Sequence, residues 1–241
     1  IPFGYNTLFL NNRFSGLDRI GDANQVSYAL TSRILDETTG AQKFSISLGQ
    51  ILYFENRLVT TCTPAGTPGA VSADSVCTSP LALVGATSPT ETFSPIAGTA
   101  TYSFNHGWSA TTNAAWDPSY NRVVSANANL QYMPEQNKVI NFNYNFLTFG
   151  NTPVLEPGGQ PDESLSNRNN LNTLGTSLAW PIFNRWQVVG GWNYDLAHHY
   201  PQTYLYGLQY SSCCWAVRAV AGRTFTGLNE NNNPMFNNGF Y

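Results

Sequence analysis

From Gln25 onward, apolar and polar residues alternate singly over most of the chain. Val26, Tyr28, Leu30 and Ile34 fall on one side, with Gln25, Ser27, Thr31 and Arg33 on the other. After a turn at 36–41, Phe44, Ile46, Leu48, Leu52 and Phe54 oppose Lys43, Ser45, Ser47 and Gly49. Successive side chains of a strand point to opposite faces, so this period of two predicts half-buried strands rather than helices. The clearest pair places Val124, Ala126, Ala128, Leu130 and Tyr132 against Ser125, Asn127, Asn129 and Gln131. Met133 to Asn137 then turns the chain, and Ile140, Phe142, Tyr144 and Phe146 oppose Asn141, Asn143 and Asn145. Further strands are predicted near 98–105, 107–116, 171–180, 186–194, 203–210 and 215–225, with the opening of another at the end. That makes about ten strands and part of an eleventh.

The connections alternate in length. Short turns fall at 37–41, 106–107, 133–138, 181–185 and 211–214. Longer links lie at 1–23, 57–96, 117–121, 150–170, 195–202 and 226–236, the link at 117–121 being the weak member. Residues 1–23 hold no sustained alternation and read as turn chemistry throughout. Short turns at one end and longer loops at the other are what an outer-membrane barrel shows, the short ones being periplasmic. On this parity Cys213 and Cys214 lie on the periplasmic side, and Cys62 and Cys77 outside.

Alternation alone also suits a soluble sandwich, and composition separates the two. Only 10% of residues are charged while 14% are aromatic. The polar face is Asn, Ser, Thr and Gln, which a barrel lumen tolerates and a water-facing sheet normally replaces with charge. No run of eighteen apolar residues occurs, so a membrane crossing would use strands. Trp180, Trp186, Tyr132, Tyr210 and Trp215 flank short turns, and Phe54, Trp116, Phe149 and Tyr194 lie near the opposite rim, as two interfacial girdles require. The expected architecture is an all-β antiparallel transmembrane barrel, present as a fragment because both ends read as cut. A net charge of −3 argues against nucleic acid as a partner.

Candidate chemistry is sparse. Two adjacent cysteines can bridge each other only through a strained eight-membered ring, since their Cα atoms stand at one-peptide spacing. Either each reaches a different partner elsewhere, or both are free thiols at a strand start. Cys62 and Cys77 bracket a Thr, Pro and Gly-rich loop and are expected to form a local disulfide, worth about 3 kcal/mol on the chain-entropy model. Four cysteines imply an oxidising compartment, and their spacing matches no zinc site. His106, His198 and His199 sit in predicted turns, and Glu55, Asp117, Glu135, Glu156, Asp162, Glu163 and Asp195 are scattered in or beside loops. No nucleophile elbow or converging acid pair is visible, so an enzyme, a metal and a cofactor are not expected. By the alternation Arg33, Lys43 and Arg218 point into the lumen, as contacts for an anionic passenger, a protein plug, or water and lumenal salt bridges.

Four runs carry a resemblance. Asn12-Arg13-Phe14-Ser15-Gly16-Leu17-Asp18-Arg19-Ile20-Gly21-Asp22-Ala23-Asn24-Gln25 closely resembles a signature of the LptD family of Gram-negative lipopolysaccharide-assembly proteins. So do Ser47 to Phe54, Trp180-Pro181 with Arg185-Trp186, and Gly207 to Arg218, in family order. The segment 57–96 departs from it and reads as variable. The resemblance implies that 1–241 is a C-terminal portion of a larger, 26-stranded barrel in the outer membrane. The periplasmic jellyroll domain, the first barrel strands and the end of the last strand would then lie outside it. It also implies that Cys213 and Cys214 form two long-range disulfides to the N-terminal region; Cys62 and Cys77 have no counterpart. The implied function is insertion of lipopolysaccharide into the outer leaflet, sugars through the lumen and lipid through a lateral gate between first and last strands. Implied partners are an LptE-like lipoprotein plug, a periplasmic LptA-like bridge and outer-membrane lipid. Asn229 to Asn233 with Pro234 would disfavour pairing just ahead of the final strand. The competing readings are a general porin and a secreted adhesive β-domain.

Overall fold

A computed structural model describes residues 3–14, 20–59, 91–119, 121–148, 170–228 and 234–240. Eleven strands follow one another in a single antiparallel sheet, each paired with its sequence neighbours and with no crossover. They are β1 (Gln25–Leu35), β2 (Gln42–Tyr53), β3 (Ile96–Ser103), β4 (Trp108–Asp117), β5 (Arg122–Glu135) and β6 (Lys138–Leu147). Then come β7 (Leu171–Phe183), β8 (Trp186–Asp195), β9 (Tyr200–Ser211), β10 (Ala216–Leu228) and β11 (Pro234–Phe240). The sheet is open, leaving β1 and β11 as edges, and strands of this length suit a bilayer crossing. An up-and-down order is what short turns between antiparallel strands dictate, because neighbours in sequence pair before anything distant can.

One face carries the exposed apolar row expected of a lipid contact. Leu30 is 79% exposed, and Leu48, Leu130, Phe142, Leu178, Leu208 and Val217 are exposed beside their strand partners. Such a surface, covering the whole sheet, exceeds what a water-soluble monomer presents. Near the short turns this face bears rings in contact. Trp108 stacks on Tyr132 at 4.6 Å, Tyr132 lies 6.3 Å from Trp180, and Tyr210 is 5.1 Å from both Trp186 and Trp215. The rings predicted for this rim thus fall into two contacting groups, Tyr132 with Trp180, joined by Trp108, and Tyr210 with Trp186 and Trp215.

Three details depart from the expectation. Turn 133–138 shrinks to two residues, because β5 runs on through Glu135. Pro181 is inside β7 rather than in a turn: β6 stops pairing at Ala179, so nothing on that side needs the missing N–H. Val124 belongs to the opposite face from the one its alternation assigns. It is the extra residue of a bulge where Ala115 pairs with Ser125 and Trp116 with Val123. It is 2% exposed, packed in one cluster with Leu8, Ile51, Ala97 and Ala115.

Cys62, Cys77, Phe149 and Asn229 to Asn233 lie outside the described residues.

Candidate functional site

The polar face is organised in rows that run across the strands. In one, Arg33, Ser45, Thr101, Thr111, Asn129, Asn143, Gly175, Asn193, Thr203, Thr224 and Asn237 stand opposite one another in unbroken register from β1 to β11. A second row joins Thr31, Ser47, Thr99, Asn113, Asn127, Asn145, Thr173 and Asp195. Directly paired side chains are close enough to bond, and many do. Thr31 and Ser47 hydroxyls are 2.9 Å apart and Asn127 Nδ2 donates to Asn145 Oδ1 at 2.5 Å, while along β6 Asn145 Nδ2 donates to Asn143 Oδ1 at 3.4 Å and so links the two rows. Nearer the short turns, Gln131 Nε2 donates to Asn141 Oδ1 at 3.0 Å and Asn141 Nδ2 to the Ser177 hydroxyl at 3.2 Å. At Gly175 the carboxamides of Asn143 and Asn193 lean over the bare backbone, occupying the space a Cβ would need. The result is a broad field of neutral donors and acceptors, the chemistry of a surface that exchanges hydrogen bonds with hydroxyl-rich molecules or water without holding either tightly.

The predicted cations divide. Lys43 Nζ lies 2.6 Å from the Asp36 carboxylate, so this lysine closes its own hairpin turn. That contact, with Thr39 and the Thr38 N–H behind it, holds the Asp36 carboxyl well below the usual carboxylate range. The bulge at Ile34 and Leu35 leaves Lys43 out of register and lets it reach the turn. Arg33 terminates the long polar row, and Arg218 grips Gln209 Oε1 through Nε at 2.7 Å and Nη2 at 2.5 Å. Among the described residues neither arginine has a carboxylate partner.

The chain before β1 does what its sequence does not announce. Residues 3–14 lie over the polar face at its long-loop end, with a short 3-10 turn at Tyr5–Thr7. Leu8 is 1% exposed and sits over Gly49, so that a Cβ there would fall 2.7 Å from Leu8 Cδ1. Around it Phe3, Tyr5 and Tyr53 pack on Ile51, Ala97, Ala115 and Val124. Ser27 and Ser125 donate their hydroxyls to the carbonyls of Leu8 and Phe3 at 2.7 and 2.9 Å. The signal was the substitution of Ile51, Ala97 and Ala115 for polar residues on that face, legible only once the register is known.

Beyond this cover, Asp22 clamps the chain that leaves β2. Its carboxylate accepts the N–H groups of Leu58 at 2.7 Å and Val59 at 3.2 Å and pairs with Arg13. Arg13 also donates to the Val59 carbonyl at 2.5 Å. Burial, the largest single influence, pushes the Asp22 carboxyl up; the Leu58 N–H, the Arg13 guanidinium and the Val59 N–H together outweigh it and hold it at about 2. The clamp is thus ionised at any physiological pH. Asp195, by contrast, is buried and accepts the N–H groups of Ala197 and His198, the His198 ring and Gln202. It shapes a turn, as does Asp117 through the Ser119 N–H at 3.0 Å.

Cys213 and Cys214 are free and exposed at the turn between β9 and β10, closed by a Ser212 N–H bond to the Trp215 carbonyl at 2.8 Å. Their sulfurs are 3.0 Å apart. The Cys214 thiol and then the Ser212 hydroxyl pull the Cys213 thiol down, while the same contact pushes Cys214 up.

Comparison with known proteins agrees with this architecture. The family model of LPS transport system D matches residues 1–186. An LPS-assembly protein LptD of Legionella pneumophila (strain Lens) is 40% identical over 240 residues, 99% of this chain and 27% of the relative. The proteins of that name from Coxiella burnetii (strain RSA 493 / Nine Mile phase I) and Pseudomonas aeruginosa (strain LESB58) are 31% and 32% identical, over 95% and 90% of this chain and 24% and 23% of their own length. The chain thus spans about a quarter of the length of these relatives.

Proposed function

The chain belongs to the LptD family, LPS transport system D, and on that premise we propose that it is the C-terminal part of a barrel that delivers lipopolysaccharide to the outer leaflet. It is an outer-membrane sheet of a transport family, not an enzyme. The observation that supports the reading best is the row from Arg33 to Asn237, neutral and polar across all eleven strands save one arginine and one glycine. Sugars slide past such a surface by exchanging hydrogen bonds, whereas a diffusion porin gathers charge at its constriction. Arg33 and Arg218 would meet phosphate or acidic sugar groups on the passenger, while Lys43 is already neutralised by Asp36. The lipid would leave through a lateral gate between the first and last strands of the whole barrel. Pairing of β10 with β11 is interrupted by a bulge after Phe225, which would make that side easier to open. An LptE-like plug in the lumen and a periplasmic LptA-like bridge complete the proposed assembly.

The test uses neighbouring positions on opposite faces. A photoreactive phenylalanine analogue at Asn129 in the complete protein is expected to capture lipopolysaccharide during export, and one at Leu130 should give membrane lipid instead. Equal capture at both positions, or none at Asn129, would refute passage over this face. We further propose that Cys213 and Cys214 each bridge to a cysteine upstream of this chain. Non-reducing peptide mapping of the mature protein should find both bridges, and free thiols there would sink that assignment. Any Cys62–Cys77 disulfide would appear in the same map.

A further inference from the structure

We propose that Arg185, with Tyr210, Trp186 and Trp215, forms a binding site for the phosphate of a glycerophospholipid in the periplasmic leaflet. Arg185 sits in the two-residue turn between β7 and β8, at the short-turn and hence periplasmic end. Its carbonyl accepts the Ser211 N–H at 2.9 Å, which ties this turn to the cysteine turn. Its guanidinium donates from Nη1 to the Tyr210 hydroxyl at 3.3 Å. Tyr210 stands opposite Trp186 and Val217 on the lipid-facing side, so the guanidinium is carried to the lipid side of the rim. There the rings of Trp186 and Trp215 flank Tyr210, each 5.1 Å from it and 43% and 56% exposed. Phe183, at the mouth of the same turn, is 73% exposed.

Charge decides what this site is built to hold. Each other ion pair of the described short turns is closed locally: Lys43 on Asp36, and Lys138 on Glu135 at 2.8 Å. Arg185 has no carboxylate among the described residues, and its one side-chain bond is to a neutral phenol. A guanidinium has five N–H donors in a planar fork, so most remain to chelate two oxygens of a phosphate. Tryptophan and tyrosine at headgroup depth supply the apolar floor that seats glycerol and the first acyl carbons. A free phosphate ion would use the fork but gain nothing from the rings. This site serves the inner leaflet, opposite to the proposed destination of lipopolysaccharide, so it stands whether or not sugars pass through the lumen.

The complete protein with its native partners, delipidated in mild detergent, would be offered phosphatidylglycerol and weighed by native mass spectrometry. The wild type is expected to retain a lipid adduct that Arg185→Gln loses about fivefold, the worth of one interfacial cation, and that Arg185→Lys keeps only in part, having the charge without the fork. Tyr210→Phe should leave retention within twofold, since the phenol only aims the fork. Heat-modifiable migration of every variant reports that the barrel has folded. Unchanged retention in Arg185→Gln overturns the proposal. So does displacement of the lipid by millimolar inorganic phosphate, which would mark a site for the ion alone. A photoreactive residue at Asn184 that captures a periplasmic protein segment in place of lipid overturns it equally.

Discussion

Substituting Val for Gly107 is expected to remove most of the folded barrel from the outer membrane. Gly107 ends the turn between β3 and β4 at φ 81°, directly after His106 at 64°. A side chain in this left-handed region costs about 1–2 kcal/mol. The space is also filled: a Cβ at 107 would meet the Met133 carbonyl oxygen at 2.5 Å and Pro134 Cα at 2.7 Å. Those are backbone atoms at the end of β5, so relief requires the turn to lift from its neighbouring strand. Overpacking of this kind adds about 1–3 kcal/mol, and the two together reach about 2–5 kcal/mol. Gly40 separates the contributions, because it has a similar φ of 69° and nothing within 4 Å of its Cβ position. Gly40→Ala should therefore lose only the backbone part. Heat-modifiable gel mobility and urea midpoints of the two variants make the comparison. Equal losses would show that the approach of Met133 and Pro134 contributes nothing.

Replacing Leu8 with Asp is expected to open the lumen at its outer end. The cover made by residues 3–14 rests on one fully buried aliphatic side chain, a few partly buried rings and two hydroxyl-to-carbonyl bonds. Burying a leucine is worth about 1.5–3 kcal/mol, and a carboxylate in its place has no cation to meet on Ile51, Ala97 or Ala115. A loss of about 3 kcal/mol multiplies the undocked fraction roughly a hundredfold. The strands beneath keep their own ladder, so the barrel should fold while the cover lifts. Planar-bilayer recordings of the complete protein should then show larger or more frequent openings, and cells should admit bulky hydrophilic antibiotics. Wild-type conductance from a folded Leu8→Asp protein would mean that this segment does not obstruct the pore. The same opening bears on transport, since a cover over the polar rows must move aside if a bulky sugar is to leave past them.

Much of this was legible before any coordinates, for a simple reason. A strand reports its own two faces through residues two apart, so each polar position of the Asn127 to Gln131 and Asn141 to Asn145 runs could be assigned inward by itself. The short-turn parity likewise needs only lengths, and it put Cys213 and Cys214 on the side where the ring chain of Trp186, Tyr210 and Trp215 now lies. The resemblance carried by Asn12 to Gln25 falls within the family match over 1–186, and the family is shown along the rest of the chain by relatives aligned over 90–99% of it.

Register was beyond it, because pairing relates residues on different strands and a slip of two preserves every face. Only the paired sheet turns separate asparagines into a row from Arg33 to Asn237, and only it exposes the apolar patch that seats Leu8. Bulges broke the alternation rule where they occur: Val124 turned inward, and Lys43 reached Asp36. Arg185 and Tyr210 are 25 residues apart, and no periodicity joins them. The sequence by itself determined the strands, their faces wherever no bulge intervenes, and the alternation of short and long connections, all of which follow from chain neighbours. The tertiary structure alone decided which side chains share a row, what covers the lumenal face, and where Arg185 meets Tyr210 at the aromatic rim, because each depends on how strands are aligned rather than on what they contain.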